Sequence, residues 1–515
     1  MAARGAVVAR SLRRRPATPD MLMPTANADL LSRREAIAKD LRRLLSHDQV
    51  IVDAEARKAY ESDGLTAYAQ SPLLVVLPAD AGQVSRVLRY CSAQSIPVVP
   101  RGAGTSLSGG ALPAEDGIVL GLGKLNRILE IDVDNRCAVV QAGVTNVAVT
   151  RAVQHLGLYY APDPSSQIAC TVGGNIAENS GGVHCLKYGL TTNNVLGALL
   201  VLPDGEMVRL GGKQADSAGL DLLGVVVGSE GLLGIVAEAT VRLLAAPSAA
   251  RAALFGFASC AAAGDCVAEI IGAGIIPSGM EMMDRFAVRA AEEFVQAGYP
   301  LDVEALLIVE LDGCEPEIAA GLDQVSRIAA RTGAVYRRFS HDEAERMTIW
   351  AGRKAAFAAI GRLTPDYYCM DGTIPRRRLP EVLTRIEALA RQYQLRVANV
   401  FHAGDGNLHP IICYDAARSG DFEHAEALGA DILKLCVEVG GALTGEHGVG
   451  VEKRELMPIM FDEQDIAQQW LLKLAFDPQA LLNPGKMFPL LHRCAEQGRV
   501  HVRGGQVRHA HLPRF

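Results

Sequence analysis

The stretch Asn399-Val400-Phe401-His402-Ala403-Gly404-Asp405-Gly406-Asn407-Leu408-His409-Pro410-Ile411 places two imidazoles on either side of a Gly-Asp-Gly turn. It reads as strand, turn, strand, and a hairpin of this length brings His402 and His409 together at the mouth of the two strands. Paired histidines with a carboxylate are a common ligand set for Zn, Mn or Fe in the divalent state. Glu446, in Thr444-Gly445-Glu446-His447-Gly448-Val449-Gly450, is the candidate carboxylate. Two such histidines can also be ordinary polar residues of a hairpin, and the residues alone leave both readings open.

A second kind of chemistry is written in glycine. Pro100-Arg101-Gly102-Ala103-Gly104-Thr105-Ser106-Leu107-Ser108-Gly109-Gly110 follows the apolar run Ile96–Val99. Glycines let a ligand approach the backbone, the hydroxyls add donors, and such a loop can turn a row of N–H groups toward phosphate. Two further stretches repeat the theme. One is Pro162-Asp163-Pro164-Ser165-Ser166 with Thr171-Val172-Gly173-Gly174-Asn175-Ile176-Ala177-Glu178-Asn179-Ser180-Gly181-Gly182. The other is Gly228-Ser229-Glu230-Gly231-Leu232-Leu233-Gly234-Ile235-Val236. Three such loops, each beside a strand, point to a large dinucleotide. The NAD fingerprint fails, because Leu107 stands where its third glycine is needed, and no Gly-Lys-Ser/Thr phosphate loop occurs.

Bulk properties bound the rest. A chain of 515 residues, 49% hydrophobic and 21% charged, has material for two or three globular domains. A net charge of −7 offers no basic excess for nucleic acid. The 11 cysteines form no Cys-x-x-Cys pair, which argues against an iron–sulfur cluster or thiolate zinc site in this chain and fits a reducing compartment. No apolar run is long enough for a bilayer. The first twenty residues carry Arg4, Arg10, Arg13, Arg14 and Arg15 before any acid. That suits an organelle-targeting peptide, a disordered tail, or an early start codon ahead of Met21 or Met23.

These residues need elements to hold them. Periodicity predicts a helix over Asn27–Ser46, a strand over Leu73–Leu77, a helix over Ala79–Gln94 and a strand over Ile96–Val99. Strands follow at Gly117–Gly121, Leu129–Val133, Cys137–Ala142 and Leu196–Pro203, interrupted by a helix over Asn146–Leu156. Pro203-Asp204-Gly205 is a hairpin turn, Ile235–Leu244 is a closing strand, and the Ala245–Ser248 stretch is a boundary. In the second half strands at Ala252–Phe257, Ala305–Leu311 and Tyr368–Ile374 alternate with helices at Ala261–Ala273, Glu315–Thr332 and Pro380–Tyr393. They suggest an antiparallel sheet with helices on one face.

Taken together, Arg101–Gly110, Pro162–Gly182 and Gly228–Gly234 resemble the flavin-binding half of the vanillyl-alcohol-oxidase-type FAD enzymes. Pro162–Cys170, Tyr367–Arg377 and Phe401–His409 carry the resemblance into their D-2-hydroxy-acid dehydrogenase branch, over about Leu73 to Pro489. It implies an α+β protein: a two-subdomain FAD-binding domain (27–247) and an α+β cap domain with an antiparallel sheet (248–440). A C-terminal segment (441–489) completes the active site, between a disordered leader (1–26) and a tail (490–515).

The resemblance further implies FAD contacts from Pro100, Arg101, Gly102, Ala103, Gly104, Thr105, Ser106, Gly109, Gly110, Pro162, Asp163, Ser165, Ser166, Thr171, Gly173, Gly174, Asn175, Asn179, Gly182, Glu230, Gly231, Gly234, Ile235, Val236 and Asn483. Several relatives attach the flavin to a histidine of the first loop; none lies between Arg101 and Gly110, so FAD is expected to bind non-covalently. His402, His409 and Glu446 match the ligands of a divalent metal, His447 the base, and Arg353 the arginine that holds the substrate carboxylate. A bidentate guanidinium suits that task, although a lone arginine on a helix is more often solvated. A lysine of the hydroxyglutarate enzymes falls near Cys369 here, which favours a small acid; Tyr367 and Tyr368 are candidates for the pocket wall or for the core.

The activity implied is oxidation of glycolate, and of D-lactate, to the 2-oxo acid, with hydride passing to flavin N5 and the electrons then to a partner subunit or a quinone. The alternatives are a D-lactate dehydrogenase with a cytochrome acceptor, or a non-catalytic flavin-binding partner subunit. Glycolate-oxidising members work with a second flavin-type subunit and an iron–sulfur subunit. That implies a cytoplasmic protein whose membrane contact is peripheral and made through the complex.

Overall fold

Val75, Val99 and Val119 are fully buried on three short strands that start the first sheet. The computed structural model describes residues 23–214 and 219–490. The Arg-rich leader up to residue 22 and the tail from 491 lie outside the described residues. The sheet runs Val50–Ile51, Leu74–Val76, Ile118–Gly121, Val98–Arg101, with parallel pairing except at the Val50–Ile51 edge. Helix Ala81–Ala93 supplies the crossover. Asp80 caps it by accepting from the Gln83 N–H, and Val84, Val87, Leu88 and Cys91 form its buried stripe.

The helix expected over Asn27–Ser46 is two, Ala28–Ser32 and Arg34–Leu44, parted at Arg33. The break keeps Leu30, Ile37 and Leu41 in one core. Met23 is buried too, so packing begins ahead of the expected domain start.

A five-stranded antiparallel sheet follows in the order Ile128–Asp132, Cys137–Gln141, Ile235–Arg242, Val195–Val201, Met207–Gly211. Its last hairpin closes at Asp204-Gly205, where Gly205 takes φ +83°, as the turn requires. The chain returns here late: Leu482 bridges to Val98 and belongs to the same core.

The second half is a large antiparallel sheet. Its main path is Ala334–Phe339, Ala249–Phe257, Ala305–Gly313, Gly279–Asp284, Arg396–His402, Asn407–Leu408, Gly372–Thr373, with Pro410–Tyr414 pairing both Arg396–His402 and Asp366–Cys369. Alternation sends Phe255, Phe257, Met280, Met282 and Phe401 to one face, against helices Cys260–Gly272, Leu379–Tyr393 and Asp421–Glu438. Leu254, Met283, Ile308 and Val400 go to the other, against Arg285–Val295 and Glu343–Leu363. Helices therefore cover both faces and not one. The expectation failed because strands Gly279–Asp284 and Ala334–Phe339 and both helices of the second layer were not recognised. The Tyr368–Ile374 strand is also split, into Asp366–Cys369 and Gly372–Thr373.

The halves are clasped together. His184 Nδ1 meets Asp163 Oδ2 at 2.7 Å, and its Nε2 meets Glu310 Oε1, in the cap sheet, at 3.2 Å. Glu310 Oε2 accepts from Arg346 Nη1 at 2.7 Å and Trp350 Nε1 at 2.5 Å. Beside it Lys187 and Tyr188 both bond Asp312. Burial depresses the His184 pKa, but Asp163 and Glu310 outweigh it and push it up to about 10. A group whose folded pKa is raised stabilises fully below its unfolded value, roughly 6.5, and loses that contribution as pH rises through the folded pKa. Wild type is expected to melt roughly a few degrees above His184→Gln at pH 6, with the gap closing by about pH 10. Thermal scans of both proteins across that range check it; a constant gap would show that the clasp is not ionic.

Candidate active site

The register of the cap sheet sets the first elements of the site. Glu281 on Gly279–Asp284 lies directly opposite His402 at the end of Arg396–His402, so both side chains share one face. The chain turns through Gly406, at φ +84°, where a Cβ would stand 2.2 Å from the Ile374 carbonyl. His409 follows. The ring centroids of His402 and His409 are 5.1 Å apart, and His409 stacks on His447 at 5.0 Å. Glu446 Oε1 lies 3.3 Å from the Nε2 atoms of both His402 and His409.

Asp371 holds the second loop. Its enclosed carboxylate accepts from Thr444 Oγ1 (2.6 Å), Gly445 N (2.9 Å), Glu446 N (3.2 Å), His447 N (3.0 Å) and Lys453 Nζ (3.0 Å). Lys453, enclosed as well, also donates to Thr444 Oγ1 and the Gly448 carbonyl. The split at Met370–Asp371 turns this carboxylate out of the ladder and into the loop. Burial pushes the Asp371 carboxyl up, but Lys453, His447 and His409 hold it well below the ordinary range.

Charge follows the same pattern elsewhere. Burial raises Glu446, yet His402, His409 and His447 bring it down to about 2. Burial carries His447 down to about 4, only partly opposed by Asp371, so its imidazole is neutral at ordinary pH. Its Nδ1 is buried and makes no hydrogen bond, and the same is true of His409 Nε2. Arg353, on Glu343–Leu363, is buried and donates from Nε to Glu281 Oε2 at 2.8 Å. Its Nη groups meet no acceptor among the described residues.

The glycine loops converge above this cluster. Among the described residues, the backbone N–H groups of Gly102 to Leu107 find no protein acceptor, a row suited to a diphosphate. Pro100 and Arg101 end their strand; Thr171 caps Val172–Glu178, which carries Gly173, Gly174 and Asn175, and Asn179 ends it at φ +53°. Several expected cofactor side chains are engaged within the protein. Asp163 holds His184, Asn175 meets Asn146 and Ser180, and Glu230 accepts from the Val449 and Gly450 N–H groups. Asn483 Nδ2 ties the Gly110 and Glu230 carbonyls. Gly231 packs on Pro100, Gly182 on the Asp163 backbone, and Gly234 on Leu200; Ile235 and Val236 sit in cores, Ser165 is exposed and Ser166 turns its loop. At Gly181 a Cβ would stand 2.7 Å from Glu446 Oε2, which brings the second glycine stretch against the histidine cluster.

Tyr368 faces the opposite core, beside Phe422, and Tyr367 is half-exposed against Phe357. Three residues escaped the sequence reading: Glu281, Asp371 and Lys453. A lone carboxylate in the apolar run Met280-Glu281-Met282-Met283 was the available signal for the first.

A paired nucleotide cradle and cap sheet of this form define a two-domain flavoprotein oxidoreductase. The FAD binding domain family model matches residues 72–211, and that of the FAD linked oxidases, C-terminal domain, matches 246–487. The chain belongs to this FAD-linked oxidase family. It is 53% identical over 482 residues to the glycolate oxidase subunit GlcD of Escherichia coli (strain K12), covering 94% of this chain and 97% of that one. A D-lactate dehydrogenase of Anaerostipes hadrus is 32% identical, over 85% of this chain and 94% of its own. Among solved structures, p-cresol methylhydroxylase with substrate bound shares the fold, with TM-score 0.75, 17% identity, and coverage of 91% and 99%.

Removing the Asp371 carboxylate strands the Lys453 ammonium in a dry interior. Asp371→Ala is expected to lose roughly 3–5 kcal/mol of stability, read from urea denaturation. A loss below about 1 kcal/mol would mean that the loop stands without its anchor.

Proposed function

We propose that this FAD-dependent oxidoreductase oxidises glycolate, and more slowly D-lactate, to the corresponding 2-oxo acid. The observation that carries the reading is one largely enclosed cluster of His402, His409, Glu446 and His447, joined to Arg353 through Glu281 and set beside the glycine cradle. The name of the GlcD relative supports glycolate, and that of the D-lactate dehydrogenase relative supports the second substrate.

Arg353 has its Nε fixed on Glu281 and its Nη groups free to grip the substrate carboxylate. That grip orients C2–H. His447, neutral and with a buried unpartnered Nδ1, takes the hydroxyl proton. FAD, when bound, supplies the hydride acceptor.

His402, His409 and Glu446 present ligand atoms within 4.8 Å of one another, and the orphaned His409 Nε2 fits a metal ligand. A divalent ion held there would lower the cost of the developing alkoxide as a Lewis acid. The neighbouring set Asp371, His409, His447 fits a metal poorly, because Asp371 is saturated by its loop and Lys453.

Cys369 is buried and its thiol pushed up by burial, so no cation stands there for a second substrate carboxylate. A small monocarboxylate follows. Electrons then pass to partners, a second flavin-type subunit and an iron–sulfur subunit. The word subunit in the relative's name supports an assembly, as do exposed Ile459, Met460, Leu471 and Leu472 within the C-terminal segment. No described helix is long and apolar enough to cross a membrane, so membrane contact would be made through the complex.

The test is anaerobic titration of the flavin absorbance with glycolate, D-lactate and L-lactate, alongside metal analysis. Bleaching by glycolate is expected; bleaching by D-lactate alone would make the chain a D-lactate dehydrogenase. His447→Ala is expected to lower turnover by roughly two to four orders of magnitude with the flavin spectrum retained. Near-normal turnover would remove His447 from the role of base.

A further inference from the structure

Glu281 touches both functional halves of the site. Its carboxylate, 1% exposed, uses its oxygens separately: Oε1 meets His402 Nδ1 at 2.5 Å, and Oε2 accepts from Arg353 Nε at 2.8 Å. We propose that Glu281 is a positioning residue that sets the metal-binding imidazole and the carboxylate-binding guanidinium against each other. The inference rests on the roles proposed above for His402 and Arg353.

The geometry gives each contact a consequence. A carboxylate beside Nδ1 makes that atom the donor, so Nε2, which meets Glu446 Oε1 at 3.3 Å, is the atom left to bind a metal once the cation takes the place of its proton. Engaging Arg353 at Nε leaves the two Nη groups as a free fork. Because Glu281 and His402 are cross-strand partners, their separation is fixed by the sheet and not by a loop. Arg353 comes from the helix layered on that face, where its backbone N–H is tied to the Tyr299 hydroxyl at 3.2 Å. One rigid carboxylate therefore fixes the distance between the hydroxyl end and the carboxylate end of the substrate.

Glu310, on the neighbouring strand, is the natural control. It is equally enclosed and also bridges a histidine and an arginine, but those are His184 and Arg346 of the domain clasp.

Glu281→Gln keeps the shape but can accept from only one of the two donors. The holoprotein carrying Glu281→Gln, Glu281→Asp or Glu310→Gln is compared with wild type by equilibrium dialysis against Zn²⁺ and by steady-state kinetics with glycolate. Glu281→Gln is expected to weaken Zn²⁺ binding by roughly ten- to a hundredfold. The glycolate KM should rise about tenfold, more than kcat falls, as lost ground-state binding predicts. Glu310→Gln should lower the melting temperature but leave Zn²⁺ affinity and KM as in wild type.

Glu281→Asp retains the charge but is one methylene too short to span both partners. It should show the same two defects, and it keeps the test alive if the glutamine variant does not fold. Wild-type Zn²⁺ affinity and KM in a folded Glu281 variant would overturn the proposal, as would equal defects in Glu310→Gln. A wild-type protein that binds none of Zn²⁺, Mn²⁺ or Fe²⁺ would instead overturn the metal reading and the His402 half of the proposal. The KM comparison would then decide the Arg353 half.

Discussion

Asp371 has no contact with water, and its carboxylate must be satisfied by what surrounds it. It is met by Lys453, enclosed to the same degree, and by three successive N–H groups of the Gly445–His447 loop. Desolvating both ions would cost several kcal/mol each, and only close, multiple hydrogen bonding offsets that. The loop therefore cannot relax without exposing a buried charge. Its position is the one that sets Glu446 beside two histidines and stacks His447 on His409. The site's precision comes from this electrostatic obligation more than from the turn chemistry of its glycines.

The two halves of the molecule meet through the same loop. Glu230, from the third glycine stretch, accepts from the Val449 and Gly450 N–H groups, and Gly450 at φ +53° would set a Cβ 2.2 Å from the Ser108 carbonyl. The cradle and the loop that carries Glu446 and His447 are thus parts of one packed unit. Any shift of the cradle would carry His447 with it. On the proposed function, this is how nucleotide binding and proton abstraction keep their mutual geometry while lying on segments far apart in the chain.

Much of this was legible in the sequence, and what was missed has physical reasons. The Gly-Asp-Gly hairpin declared itself because its turn needs Gly406 and apolar residues flank it on both sides. The glycine stretches were visible because little besides a close backbone approach calls for so many. Glu281 was hidden, since a carboxylate in an apolar run weakens the strand signal, and what redeems it, His402 and Arg353, comes from remote segments. Asp371 was hidden for a related reason: leaving the ladder to hold a loop looks, in sequence, like an ordinary strand residue. The double helical cover went unseen because Glu343–Leu363, with a half-buried Arg346 and a buried Arg353 on its inner side, lacks a clean apolar stripe.

Buried charge on the inner side of that helix is the common thread. Arg346 and Arg353 lie two turns apart on it, and each meets a glutamate projecting from an adjacent strand, Glu310 and Glu281. A helix packed through two ion pairs has a fixed rotation and a fixed height above the sheet, which apolar contacts alone specify less sharply. The first pair engages the flavin-binding half through His184, and the second reaches the histidine cluster through His402. The same helix is therefore referenced at one point to the nucleotide-binding half and at another to the histidine cluster. The first pair holds the two halves of the molecule together, and only the second sets the substrate clamp of the proposed function against the histidines.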